Sequence, residues 1–285
     1  MKMIRLKRMS DCTWNEAMQA WNEGFQGYFA DMTMTIERFT DRFGMEGLSP
    51  ALSVIAFDGD IPVGMIVNGI KEIKGEKVGW NGGTAVAPAY RKQGVGKVMM
   101  DFVLDVYAEN GVTVATLEAI RENEKAIALY EQKGYRIFDR LVHLKQNGKL
   151  QLPEAQNFTI QPMRPPQVVP LSFYVQHAPW QTQALNVRDA EAAIAYEGNE
   201  AVGYALYKHM YNEQGELTHI LLYQCVGMGA QEREIVASLL YHVLRSNVEC
   251  ARMAINLPEE STAAALLQEA GFMVYVSQVQ MRKEM

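Results

Sequence analysis

Val86-Ala87-Pro88-Ala89-Tyr90-Arg91-Lys92-Gln93-Gly94-Val95-Gly96-Lys97 is the stretch from which the fold is read. Residues 78–86 read as a β-strand ending at Val86, and Pro88 stops it because proline has no amide hydrogen to give to a ladder. An amphipathic pattern over 93–109 reads as a helix starting near Gln93. Gly94 and Gly96 remove side chains where backbone amides face outward, at a helix end whose dipole favours negative charge. The product is an anion site of pyrophosphate size, with Arg91, Lys92 and Lys97 beside it as counter-charges. No Gly-Lys-Ser/Thr follows as in a Walker loop, and the spacing is not the dinucleotide Gly-x-Gly-x-x-Gly. Taken alone, the loop also reads as a glycine-rich turn into a helix with solvated basic residues.

Outward from the loop, strands are expected near 4–8, 52–57, 62–73, 113–119 and 135–144, and helices over 14–29, 35–43 and 123–133. Antiparallel strands first and a strand–helix–strand–helix run after them make the class α+β, or mixed α/β. The plan then repeats. Phe57-Asp58-Gly59-Asp60-Ile61-Pro62-Val63-Gly64 matches Tyr196-Glu197-Gly198-Asn199-Glu200-Ala201-Val202-Gly203 at an offset of 139. Met99–Leu104 matches Leu239–Leu244 at 140, and Lys133-Gly134-Tyr135 matches Ala270-Gly271-Phe272 at 137. The expected division is 1–148, a polar Gly- and Pro-bearing linker at 149–155, and a second copy at 156–285 whose opening helices are less clear.

Composition narrows the function classes. The chain has 285 residues, 48% hydrophobic and 21% charged, and a net charge of −6. Residues 1–150 hold 19 basic and 19 acidic side chains and residues 151–285 hold 8 and 14, so the whole imbalance lies in the second copy. Neither half has the basic balance of a nucleic-acid binder. No apolar run is long enough for a membrane span. Three scattered cysteines suit neither a disulfide framework nor a metal site and point to the cytoplasm.

The loop with its preceding Val86-Ala87-Pro88 resembles the GNAT superfamily of acyl-CoA-dependent N-acetyltransferases, whose signature Arg/Gln-x-x-Gly-x-Gly/Ala is met by Arg91-Lys92-Gln93-Gly94-Val95-Gly96. A second signature matches at Leu117-Glu118-Ala119, Asn123, Ala126 and Leu129-Tyr130-Glu131-Gln132-Lys133-Gly134-Tyr135. The resemblance implies two tandem GNAT folds, each a mixed, mostly antiparallel twisted sheet with helices on both faces and central strands splayed near Val86 and 116–118. It implies acetyl-CoA as co-substrate, with its pantetheine arm along Ala85 and Val86 and its pyrophosphate on the amides from Lys92 through Gln93, Gly94, Val95 and Gly96 to Lys97. Asn123 matches a residue that contacts the cofactor. No metal is implied.

Acetyl transfer to an amine needs a neutral amine, a stabilised carbonyl oxygen and a proton for the departing thiolate. The resemblance places Tyr130 as general acid; a phenol of pKa about 10 can serve a thiolate whose acid is near 8.5. Glu118, a carboxylate on an apolar strand, is the candidate base, with a water as the alternative. Its twelve-residue spacing to Tyr130 looks like that of the ribosomal-protein alanine N-acetyltransferases. Trp21, Phe25, Tyr28 and Phe29 form a stripe that reads first as a core face. In the family the loop after this helix walls the acceptor site, making Tyr28, Phe29 and Met32 candidate substrate contacts, with Asn81 on the cofactor strand. In the second copy, Gln231, Glu234 and Val236 stand for Arg91, Gly94 and Gly96, while Glu260 and Leu267 stand for Asn123 and Tyr130, so that copy is expected to be silent. The expected acceptor is a small primary amine; a peptide or protein N-terminus, or an acyl-CoA-binding sensor without turnover, are the alternatives.

Overall fold

The computed structural model describes residues 4–73, 75–150, 152, 158–187 and 189–285, which gather into two compact units. The first consists of the described residues up to Phe138 together with Val279–Met285, and the second of Asp139–Gln278.

In the first unit β1 (Ile4–Arg8), β2 (Val54–Asp58), β3 (Ile61–Ile73) and β4 (Glu76–Val86) are successive antiparallel neighbours. α1 (Trp14–Gly24) and α2 (Ile36–Glu46) lie between the first two strands in sequence. A capping box starts α1: the Thr13 hydroxyl accepts the Glu16 amide at 3.2 Å, and the Glu16 carboxylate accepts the Thr13 amide at 2.7 Å. Thr35 caps α2 in the same sense. α3 (Val95–Glu109) leads to β5 (Val114–Ile120), which runs parallel to β4, and α4 (Glu124–Gln132) follows.

Both faces of this sheet are covered. Val54, Ala56 and Ile66 share a core with Val95, Met99, Met100, Val103 and Tyr107 of α3. Their alternating neighbours Ile55, Phe57, Met65 and Val67 are equally buried, on the opposite face because side chains along a strand alternate. β4 and β5 pair only from Val78–Asn81 to Val114–Leu117. Beyond that point β4 continues to Val86 and β5 to Ile120 without a ladder between them, so the sheet opens at its centre.

The second unit repeats this plan. β7 (Thr159–Met163), β8 (Glu191–Glu197), β9 (Glu200–Tyr211) and β10 (Leu217–Gly227) are antiparallel, and β11 (Cys250–Pro258) pairs in parallel with β10 over His219–Leu222 and Ala251–Ala254. α5 (Glu232–Leu244) and α6 (Thr262–Glu269) flank β11 in sequence. The bond from the Ala87 amide to the Val63 carbonyl, 2.9 Å, has its counterpart from Met228 to Val202, also 2.9 Å. Where the first unit has α1 and α2, the described residues of the second have short 3-10 turns at Pro165–Val168 and Trp180–Thr182.

The units depart from the boundaries 1–148 and 156–285 at one strand each. β6 (Arg136–Gly148) ends the first copy, yet its residues 139–148 belong to the second unit, where Leu141–Gly148 pairs with β11. β12 (Met273–Glu284) ends the second copy, yet residues 279–285 belong to the first unit. The physical reason is burial: Val279 and Met281 are enclosed with Tyr130 and Tyr135, and Val142 and Leu144 with Leu239 and Leu240. In the linker at 149–155, residues 151 and 153–155 lie outside the described residues.

Candidate active site

The loop 86–97 takes the conformation its glycines and proline dictate. Pro88–Tyr90 is a 3-10 turn, Lys92 has φ +60° and Gly94, the N-cap of α3, has φ +83°, the left-handed region in which glycine costs least. The first hydrogen bond of α3 runs from the Val98 amide to the Gly94 carbonyl at 3.1 Å. The amides of Val95, Gly96 and Lys97 therefore precede the helical ladder and project from its positive end. Lys92, Gln93 and Lys97 are exposed around them, while the Val95 side chain is buried in the core. A Cβ on Gly96 would stand 3.3 Å from Leu129 Cδ2, so this glycine also sets the approach of α4. The donor set suits a pyrophosphate, and the opening between β4 and β5 beside Ala85 and Val86 suits an extended chain. The residues fit acetyl-CoA.

Arg91 behaves otherwise than as a free counter-charge. Its Nε donates to the Val86 carbonyl at 2.8 Å, and its Nη2 to the carbonyls of Gly24 (3.0 Å) and Gln26 (2.6 Å). The guanidinium thus joins the end of β4 to the end of α1, where unsatisfied helix carbonyls favour a cation.

Tyr130 is 6% exposed. Burial pushes its hydroxyl up to about 12, opposed by a hydrogen bond with the Thr84 side chain. Thr84 in turn receives the Asn81 amide at 2.9 Å. Asn81, expected among acceptor contacts, is 4% exposed, and its Oδ1 accepts the Gly83 amide at 3.0 Å. Both ends of its amide are committed to a β-bulge in β4, which corrects the expectation. Asn123 caps α4 by accepting the Ala126 amide at 3.3 Å, and is hydrogen-bonded with the Tyr28 hydroxyl.

Leu117 and Ala119 face α3 in the same core as Tyr130, so Glu118 between them faces the other side of the sheet. There its Oε2 accepts the Trp80 indole N–H at 2.8 Å. Thr84 and Trp80 were missed in the sequence. Their signal was their place on β4, one within the opened segment and one at the last paired turn of the ladder.

The acceptor-side loop is shorter in helix than its aromatic period suggests. α1 stops at Gly24, because Gly27 (φ +67°) turns the chain, so Tyr28 and Phe29 lie in the loop. Trp21 and Phe25 are core residues, Tyr28 and Met32 are half-buried, and Phe29 is 58% exposed. The Trp21 indole donates to the Met32 carbonyl at 2.8 Å. Among the described residues no group of three or more His, Cys, Asp or Glu could hold a metal.

The second unit lacks this constellation. Four residues separate β10 from α5, against eight between β4 and α3. The helix cap is therefore Gln231 where Gly94 stands, and Glu232 and Glu234 occupy the first turn. The Phe272-to-Leu267 backbone bond matches the Tyr135-to-Tyr130 one, which places Leu267 at the tyrosine's position. Ser261, rather than Glu260, takes the capping role of Asn123.

Residues 13–135 match the family profile described as Acetyltransferase (GNAT) family. The [ribosomal protein bS18]-alanine N-acetyltransferase of Escherichia coli K12 is 39% identical over 51 residues, 18% of this chain and 34% of that protein. The chain thus spans about a third of the length of that curated relative. N-alpha-acetyltransferase 30 of Schizosaccharomyces pombe is 29% identical over 100 residues, 35% of this chain and 67% of that protein. A solved tandem GNAT protein from the clavulanic acid biosynthesis pathway superposes with a TM-score of 0.62 at 13% identity, over 99% of this chain and 98% of that one. With the opened sheet and the loop before α3, these likenesses define the class of the first unit: residues 13–135 carry a GNAT acetyltransferase domain. No described helix is long and apolar enough to cross a membrane.

Proposed function

We propose that the first unit transfers an acetyl group from acetyl-CoA to a primary amine, taken first as that of a small molecule. The observation that carries this reading is the opening of β4 from β5 beside a helix N-terminus preceded by Gly94, with a buried tyrosine hydroxyl on α4. Acetyl-CoA, when bound, supplies the activated carbonyl and a thiolate leaving group. The amides of Val95, Gly96 and Lys97 hold negative charge at the loop. Tyr130 stays protonated at neutral pH and gives its proton to the departing sulfur, while Thr84 steadies the phenol oxygen. Glu118, oriented by Trp80, takes the proton of the attacking amine, directly or through water.

A peptide N-terminus is the second reading, favoured by the 39% identity with the bS18-alanine enzyme across 51 residues. The deciding experiment is thiol release from acetyl-CoA against small amines, polyamines and N-terminal peptides. Tyr130→Phe is expected to lower kcat about 10²–10⁴-fold while keeping acetyl-CoA affinity. Thiol release from no acceptor, with acetyl-CoA still bound, would leave a silent sensor instead, and unchanged turnover in Tyr130→Phe would remove the phenol from the mechanism.

A further inference from the structure

The loop motif presents Arg91 as a charge for phosphate, but its guanidinium is spent on backbone. Its three hydrogen bonds reach Val86 on the cofactor strand and Gly24 and Gln26 at the exit of α1. Two further features make this a built junction. Gly24 lets α1 come down onto β4, for a Cβ there would lie 2.5 Å from the Ala85 Cβ. The end of α1 is closed locally by backbone: the Phe25 amide bonds back to Trp21, and Gln26 is followed by Gly27 at φ +67°. The carbonyls left over at that helix end need donors from elsewhere, and a cation is the favoured one.

The segment leaving this junction carries Tyr28, Phe29 and Met32. Its far end is tied back to α1 by Asn22, whose amide donates to the Met34 carbonyl and accepts the Met34 amide, both at 3.0 Å. At its near end Arg91 joins it to the cofactor loop, and Tyr28 is hydrogen-bonded with Asn123 at the cap of α4. The geometry points to Arg91 as a positioning residue that sets the acceptor-side loop against the strand holding the thioester, so that ordering of the loop 91–97 by acetyl-CoA is passed to residues 25–34. This rests on the reading of 86–97 as the acetyl-CoA loop. The role is one of specificity and order of binding: the acceptor wall is assembled best once the cofactor loop is in place.

Arg91→Gln and the milder Arg91→Lys test it in the full chain. Hydrogen exchange of the protein without ligand comes first. Residues 25–34 should exchange faster in Arg91→Gln by about tenfold, and by less in Arg91→Lys, while 54–73 stay unchanged. Unaltered exchange over 25–34 overturns the strap whether or not acetyl-CoA is the ligand. Acetyl-CoA should slow exchange over 25–34 in the native chain and fail to do so in Arg91→Gln. In turnover, the acceptor KM should rise about tenfold while the acetyl-CoA Kd moves by less than about threefold. A salt-dependent loss of acetyl-CoA affinity with acceptor KM unchanged would return Arg91 to the role of phosphate ligand and refute the inference.

Discussion

Met281 stands near the end of a strand that begins in the second copy, yet it is fully buried in the core of the first unit, together with Val279, Tyr130 and Tyr135. Met281→Ala removes Cγ, Sδ and Cε from that core. At about 0.8 kcal/mol per methylene-sized group the transfer term is about 2 kcal/mol, and the residual cavity brings the expected loss to about 2–5 kcal/mol. Met281→Leu conserves volume and should cost less than about 1.5 kcal/mol. Segment-resolved hydrogen exchange under increasing urea locates the loss. Faster exchange is expected in β5 and α4, whose Leu117, Ala119 and Tyr130 share the core, with β9 and β10 unchanged. A loss below about 1 kcal/mol, or one centred on β9 and β10, would refute the assignment of residues 279–285 to the first unit.

Two further outcomes follow from the site. Glu118→Gln keeps an oxygen for the Trp80 indole but removes the charge, and should lower kcat at neutral pH about 10²-fold or more with little change in stability; full turnover would hand the base role to water. Tyr130 bears on alkaline stability, because its hydroxyl titrates near 12 in the fold and about 10 in the unfolded chain. The folded state then binds the extra proton, so its contribution is complete below pH 10 and is lost as pH rises towards 12. Urea unfolding should show a shallower decline over that window in Tyr130→Phe than in the native chain, and identical slopes would refute the buried phenol.

The parts of the site legible in the sequence are those with local causes. The loop 86–97 declares itself through a proline that ends a strand and a glycine that must adopt positive φ, and the α4 region through a capping asparagine before its helix. Arg91 could be placed but not interpreted, since two of its acceptors are backbone carbonyls 65 and 67 residues away, and a carbonyl carries no residue identity. Asn81 was misread because an amide that closes a β-bulge looks in sequence like any polar residue on a strand. The aromatic stripe kept helical period past Gly27 and so overran α1 by a turn. The second copy's departure from the cofactor loop was visible in its glutamates, whereas the halving of its loop was hidden by offsets that agree on either side of the deletion.

The assignment of Val279–Met285 to the first unit has a consequence in time. These residues are synthesised about 140 positions after Phe138, which at about 5–20 residues per second is a delay of about 7–30 s. During that interval β5 is without its sheet neighbour β12 and presents a bare edge, the kind of surface that invites mispairing, and the hydrophobic bed around Tyr130 lacks its lid. The GNAT unit is thus made first and finished last, and a ribosome stalled within the second copy releases a chain whose opening half is present in full sequence but still unclosed.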